Sequence, residues 1–341
     1  MAGSATADAD RVRAGGQVLC LLSDAINTSI LRALLRGPLP VAELAHRLGP
    51  TSRTTRFARL RELEDLGVVS REKRSGGVGT PPVAYCSLTS AGRGLLPVAR
   101  RFARWLASDP DGPSSPVDLT GAQKIKALAN AWNTTVLRWL AEGPRSLTEL
   151  DTLSPPVVTY HEARKAREDL SEAGLITPVA TEDRGQPYGL VSWARQITGC
   201  IAAAIAWEGV FLDPSVPIAS IDAETLLLLL LPLIECAPGP RGSVCALQVD
   251  RSGDLPVTTV GEGRVITGSV GFESGRASRI QGSADAWFQA IASGQTESLR
   301  MQGRIHLTSA LVSGMHGECT RPPGFEAADT MDKCPTTMCA I

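Results

Sequence analysis

The sequence predicts a mainly α chain with small β wings, built as two tandem copies of one unit, followed by an α+β domain. Three observations carry that expectation. A segment of helical period is written twice: "DAINTSILRALLRGPLPVAELAHRL" from Asp24 can be laid over "NAWNTTVLRWLAEGPRSLTELDTL" from Asn130. The overlay matches Asn27 with Asn133, Leu31 with Leu137, Arg32 with Arg138, Gly37-Pro38 with Gly143-Pro144 and Glu43-Leu44 with Glu149-Leu150, an internal duplication. Each copy then runs through a further helix into a turn and an apolar pair, "LEDLGVV" and "LSEAGLI", and on into a stretch rich in Gly, Pro and charge. From Asp222 the texture changes to short alternating runs interleaved with helical ones.

Within the first copy, "TSRTTRFARLRELEDLGVV" is a helix by its punctuation. Ser52 is a good N-cap, Phe57, Leu60 and Leu63 recur at helical spacing, and Gly67 stands where a C-terminal glycine stop belongs. Its charges run the wrong way for a lone helix. Arg53, Arg56, Arg59 and Arg61 precede Glu62, Glu64 and Asp65, although the helix macrodipole favours carboxylates at the N-terminus. Something outside the helix is therefore expected to engage the arginines; a solvated surface helix is the alternative. The stretches "REKRSGGVGTPPVAYCSL" and "TPVATEDRGQPYGLVSW" each read as two short strands around a hairpin. Helix, helix, helix, hairpin is the order of a winged helix-turn-helix, whose third helix enters the major groove. The expected DNA-reading set is Ser52, Arg53, Thr54, Thr55, Arg56, Arg59 and Arg61 on that helix, with Arg71, Lys73 and Arg74 on the wing.

Each copy closes in another helix, "AGRGLLPVARRFARWLA" up to Ala107 and "ARQITGCIAAAIAWEGVFL" up to Leu212, whose apolar faces a lone winged helix would leave exposed. A homodimer is expected on that ground, the alternative being a pseudo-dimer within one chain. The resulting division is a disordered N-terminus at 1–16, a first winged helix at 17–108, a Pro/Ser/Asp linker at 109–120, a second winged helix at 121–213, an α+β domain at 217–317 and a disordered tail at 318–341.

The first copy resembles the HxlR-type family of bacterial winged-helix transcriptional regulators. The residues that carry the resemblance are "ILRALLRGPLPVAEL", "RLRELEDLGVVSR" and "PPVAYCSLTSAGRGLLPV", the last with Tyr85, Leu88-Thr89 and Gly92 at the strand, the wing exit and the final helix. The family's Gly-Lys-Trp or Gly-Arg-Trp signature is replaced by "DAINT", whereas the second copy keeps Trp132. Arg56 stands near a position where an apolar residue is expected. The C-terminal domain is similar to the sterol carrier protein type two fold on "ASRIQGSADAWFQAIASG" and "LRMQGRIHL", where Gly282 leads a strand into a helix and Gly303 precedes another apolar strand. That similarity implies an apolar cavity between sheet and helices, lined by Leu247, Val249, Trp287, Phe288, Ile291 and Ile305, although for any one of them ordinary core packing is the simpler reading.

Composition narrows the function classes. With a net charge of −1, affinity for nucleic acid has to come from a local surface. Between Thr51 and Arg74 seven basic residues stand against four acidic ones, whereas between Pro155 and Gly185 four basic residues stand against six acidic ones. The first copy is the expected DNA reader, and the second is expected to be degenerate and to serve dimerisation. His46, His161, His306 and His316 lie in separate elements, with no metal spacing or nucleophile motif near them, so no catalytic residue, metal or cofactor is expected. The run "LLLLLLPLI" is too short to span a bilayer, and a cytoplasmic protein without a disulfide framework is expected. The expectation is a regulator that binds double-stranded operator DNA and senses an apolar small-molecule effector through its C-terminal domain. A sequestration or carrier protein using the winged helices as scaffold is the alternative, and a biosynthetic enzyme the least favoured reading.

Overall fold

The repeat carries its hydrogen bonds as well as its letters. In the computed structural model, which describes residues 14–75, 81–153, 160–180, 185–212, 217–234, 243–250, 257–261, 264–268 and 278–323, the first copy runs α1 (Gly16–Leu22), α2 (Ala25–Leu34), β1 (Leu39–Pro40), α3 (Val41–Arg47), α4 (Arg53–Asp65), β2 (Val69–Arg74), β3 (Val83–Leu88) and α5 (Ser90–Ala107). The second runs α6 (Leu119–Ala129), α7 (Ala131–Glu142), α8 (Leu147–Leu153), α9 (Tyr160–Glu172), β4 (Ile176–Pro178), β5 (Tyr188–Leu190), α10 (Ser192–Arg195) and α11 (Thr198–Phe211). Asn27, 1% exposed, donates its amide to the Leu21 carbonyl at the end of α1; Asn133, fully buried, donates to Ala127 at the end of α6. Gly67 and Gly174 stop α4 and α9 at φ of 67° and 69°, a left-handed conformation that glycine adopts without strain.

Gly92 has a different reason to be glycine. A Cβ there would fall 2.2 Å from the Val68 carbonyl oxygen, and Thr89, which caps α5 by accepting from the Gly92 amide, also donates to Gly67. The strand, Thr, Gly arrangement seen in the sequence is thus the joint at which α5 leaves the wing.

The two copies pack through equivalent elements, α1 on α6 and α5 on α11. Trp105 lies 14 residues beyond Ala91, and Trp207 lies 14 residues beyond Trp193. Trp105 donates its indole N–H to the Trp193 carbonyl at 3.2 Å, and Trp207 donates to the Ala91 carbonyl at 3.0 Å. The contact is therefore isologous, each copy giving the other the same bond. Trp193 adds a bond of its own to the Trp105 carbonyl at 2.8 Å and stacks on the Trp105 ring with centroids 4.3 Å apart. The apolar faces that led to the homodimer expectation are used here inside one chain.

The 109–120 segment is docked rather than loose. Asp109 is 6% exposed and ion-paired with Lys124, itself 7% exposed and 5.2 Å from the Trp193 ring centroid. Order also begins before the expected boundary at residue 16. Glu208 of α11 accepts from the Gly15 and Val18 amides at 2.6 and 2.8 Å, satisfying backbone donors that no residue within α1 can reach.

The remaining chain forms α12 (Ser220–Leu230) and a short 3-10 turn, then β6 (Ser243–Val249), β7 (Val257–Gly261), β8 (Arg264–Gly268), β9 (Ser278–Gly282), α13 (Ala284–Ser293), β10 (Arg300–Gln302) and α14 (Ile305–Thr320). The five strands lie in the order β10-β9-β6-β7-β8, with β6 and β9 parallel and Leu247 opposite Ile280. α12 is buried along nearly its whole length because it packs against α7, α11, α13 and α14 at once. Ile305 departs from expectation. The strand stops at Gln302, Gly303 turns the chain at φ 86°, and Ile305 opens α14 with 56% of its surface exposed, so it does not share an apolar strand with the other expected lining residues. The expected tail also starts late, since α14 continues to Thr320 and Cys319 is 1% exposed. Residues 1–13 and 324–341, expected to be disordered, lie outside the described residues, as do the two wing tips at 76–80 and 181–184.

Replacing Trp105 by Ala is expected to cost about 3–5 kcal/mol of unfolding free energy, read by urea denaturation of the full chain. Lys124→Met is expected to cost about 3–5 kcal/mol by leaving Asp109 buried and unpaired, and adding Asp109→Leu should recover most of it.

Candidate nucleic-acid interface

α4 is held at three points. Ser52 accepts from the Thr55 amide at 3.0 Å, Leu60 and Leu63 enter the core, and Gly67 ends the helix. Its basic residues then divide by what they touch. Arg59 ion-pairs with Asp24 at 2.7 Å and donates a hydrogen bond to Glu62 at 2.8 Å; the Glu62 hydrogen bond, with the Asp24 charge behind it, raises its pKa above the usual value. Arg71 pairs with Glu64 at 2.8 Å. Both guanidinia bind the domain to itself, joining α4 to the N-cap of α2 and to the wing.

Arg53, Thr54, Thr55, Arg61 and Lys73 are exposed, and Arg53, Arg61 and Lys73 have no ion pair among the described residues. Arg53 stands over the Phe57 ring at 5.6 Å, and Arg74 over Tyr85 at 5.0 Å with only a long contact of 3.9 Å to Glu72. Arg56 occupies the place where the sequence calls for an apolar side chain, and it reaches back to donate to the Ala45 carbonyl near the end of α3. The structure thus leaves Arg53, Arg61, Lys73 and Arg74 presented outward and engages Arg56, Arg59 and Arg71 in contacts with their own domain.

In the second copy the corresponding helix is neutralised. Arg164 pairs with Glu168 at 2.8 Å, Lys165 with Asp169 at 3.2 Å and Arg167 with Glu168 at 3.2 Å. The Arg164–Glu168 hydrogen bond holds the arginine pKa up and the carboxyl pKa down. Arg167 also bonds the Tyr188 hydroxyl at 3.2 Å. The acidic wing residues Glu182 and Asp183 lie outside the described residues.

Residues 21–111 match the HxlR-like helix-turn-helix family. The matched span runs from the last two residues of α1 to just beyond α5, so it includes α4, the hairpin β2–β3 and the seam helix α5 together. The HxlR-like match supports a DNA-binding transcriptional regulator, and that family is one of regulators rather than of enzymes. No protein of curated function matches the chain.

The expected ligand residues sit on a different part of the molecule. Leu247, Val249, Trp287 and Ile291 are fully buried, and Trp287 donates its indole N–H to the Gln248 carbonyl at 2.9 Å. Phe288, 6% exposed, faces the other way, onto a cleft of about 490 Å³ between α13 and the seam helices α1 and α11. Among the described residues no group of three or more His, Cys, Asp or Glu could hold a metal, and no helix is long and apolar enough to cross a membrane. Burial pushes the Cys86 and Cys319 thiols up to about 11 and Cys245 to about 12, which leaves little thiolate for chemistry.

Residues invisible to the sequence reading hold the parts together. Arg101 of α5 donates to the Gly199 and Cys319 carbonyls at 2.9 and 3.1 Å and to Thr320 at 2.8 Å, tying the first copy to α11 and to the end of α14. Arg138 reaches Glu224 of α12, and Arg195 donates to the Leu228 carbonyl at 3.1 Å. The repeat alignment offered one signal for these contacts, the matched Arg32 and Arg138, of which only the second meets a partner domain.

Arg59→Ala is expected to lower stability by about 0–1 kcal/mol, since its pairs are partly exposed, whereas Arg53→Ala should leave stability unchanged. Urea unfolding of the two variants checks the division.

Proposed function

We propose that the chain is a transcriptional regulator working as a one-chain counterpart of a dimeric winged-helix protein. In this reading the first copy reads double-stranded operator DNA and the second is its built-in partner. The observation that carries the reading is the contrast between α4 with its wing, where Arg53, Arg61 and Lys73 face outward with no ion pair among the described residues and Arg74 has only the 3.9 Å contact to Glu72, and α9, where Arg164, Lys165 and Arg167 each have a carboxylate within 3.2 Å. Phosphate neutralisation supplies most non-specific affinity for DNA, so the two surfaces should differ in what they attract. Thr54 and Thr55, beside Arg53 at the start of α4, are positioned to reach base edges with the arginine.

The C-terminal unit is the proposed effector sensor. The resemblance of its sequence to a sterol-carrier-type fold and the apolar sheet-to-helix layer of Leu247, Val249, Trp287 and Ile291 support an apolar ligand, and the cleft at Phe288, which Asp285 and Glu208 also line, is the described opening beside that layer. Such a ligand alters DNA affinity only by binding two arrangements of the seam differently. The cleft touches α1 and α11, and Arg101 links α5 to α14, so a route from sensor to reading head is built in.

Binding of a labelled duplex from the chain's own upstream region, followed by fluorescence anisotropy, tests the DNA reading. Arg53→Ala is expected to cost about 1–3 kcal/mol, and Lys73→Ala to reduce the salt slope by about 1, while Arg164→Ala and Lys165→Ala have little effect. Equal losses from both copies would remove the asymmetry. Light scattering should find a monomer, because the seam is filled internally; a dimer would restore the homodimer expectation. For the sensor, the uncharged dye N-phenyl-1-naphthylamine should bind the wild-type chain and lose affinity in Phe288→Ala; no change would remove Phe288 from the effector site.

A further inference from the structure

The first copy contains a cavity beside the DNA-reading face, sharing Arg53 with it. It has a volume of about 440 Å³ and lies between α2, α3, α4 and the start of β3. That volume is in the range of small-molecule sites. Its floor is core: Ile30, Leu44 and Leu60 are between 0% and 4% exposed. Its rim is apolar and open, with Phe57 at 40% and Val83 at 42% exposure. Its described polar lining is two guanidinia, Arg53 and Arg56, both on the α4 wall, and no carboxylate is among its described lining residues.

The groove follows from the identity of residue 56. A side chain at that position points from α4 toward α3, where an apolar group would close the gap. Arg56 instead spans it, spending one N–H on the Ala45 carbonyl and keeping its charge and its other donors. Arg53 lies one turn earlier on the same wall, at the positive end of the helix, and is held over Phe57. The neighbouring Arg59 and Arg71 are neutralised by Asp24, Glu62 and Glu64, so positive charge without a close counter-ion is concentrated at the mouth of the groove.

We propose that this groove binds a small amphiphilic anion: an apolar ring or chain body seated against Ile30, Leu44 and Leu60, with one anionic head, a carboxylate or sulfonate, between Arg53 and Arg56. A guanidinium fork matches such a head, and the apolar floor has no polar group to satisfy one placed the other way round. The site is distinct in place and charge preference from the Phe288 cleft. Occupancy also blocks DNA, because the head takes the Arg53 donors that would face a phosphate or base. This second half rests on the proposed DNA reading, and the first half does not.

The test uses the full chain and 1-anilinonaphthalene-8-sulfonate, an apolar body with one sulfonate. Two variants act through different parts of the site. Arg53→Gln combined with Arg56→Gln removes the charges and keeps the space, and Ala45→Phe fills the space and keeps the charges. Each is expected to weaken dye binding at least about tenfold by fluorescence titration, with a thermal unfolding midpoint like that of the wild type. Should Ala45→Phe fail to fold, Val83→Trp fills the groove from its exposed rim and carries the same expectation. Wild-type dye affinity retained in the charge and the filling variants overturns the site. Saturating dye is expected to weaken duplex binding by the wild type and not by the filling variant. Dye binding that leaves duplex affinity unchanged overturns the competition alone, and a chain that binds dye but no duplex overturns the DNA reading and leaves the site standing.

Discussion

The seam between the two copies is the contact on which the rest of the structure depends. α1 meets α6, α5 meets α11, and the indole N–H groups of Trp105 and Trp207 cross it in opposite directions to equivalent carbonyls. A buried indole N–H left without an acceptor costs about 1–3 kcal/mol, so these bonds select one registry of the copies over others that would bury the same apolar area. The Trp193 stack and the Lys124–Asp109 pair sit at the same junction, which is why the segment joining the copies is docked. Glu208 belongs to it too, since the carboxylate that caps α1 comes from α11 of the opposite copy.

Fusing the halves of a symmetric pair in one chain frees each half to diverge. In a true homodimer a substitution appears on both sides of the interface; here it appears on one. The asymmetry shows in the matched helices α4 and α9. α9 pairs its basic residues with Glu168 and Asp169, whereas α4 keeps Arg53 and Arg61 clear. It shows again in Arg32 and Arg138. They are matched in sequence, but Arg32 is exposed and Arg138 reaches Glu224 of α12, so the C-terminal unit docks on the second copy's α7. Under a shared seam, α4 keeps exposed basic residues while α7 carries the contact to the C-terminal unit.

Arg101 gives that arrangement a mechanical consequence. It stands on α5, behind the wing, and holds three carbonyls on α11 and at the end of α14. The last carbonyls of a helix have no partners within it, so a guanidinium there satisfies acceptors and faces the negative end of the dipole. The end of α14 is thereby tied to the helix that leaves the first wing.

Local chemistry along the chain was enough to determine several features. Ser52 and Gly67 bounded α4 because capping involves only near neighbours, and the duplicated Asn27 and Asn133 announced equivalent units. The order of helices and hairpin in each copy was readable for the same reason, and the basic surplus around α4 was visible as composition. β7 was not read, since "VTTV" is short and takes its identity from β6 and β8 beside it. Which arginines face outward was also hidden, because Arg59 meets Asp24 from another helix and Arg71 meets Glu64 across the turn. Ile305 fell on a helix because the strand lies before Gly303, at Arg300–Gln302, and the apolar segment expected as a strand after that glycine turns into α14 instead. The sequence by itself determined which elements form and that they form twice. Only the tertiary structure decided that the copies close on each other, that Phe288 faces a cleft while Trp287 is core, and that Arg56 leaves a groove beneath α4. Periodicity and caps act within a few residues, whereas ion pairs, indole bonds and cavities depend on groups that meet only when distant elements pack.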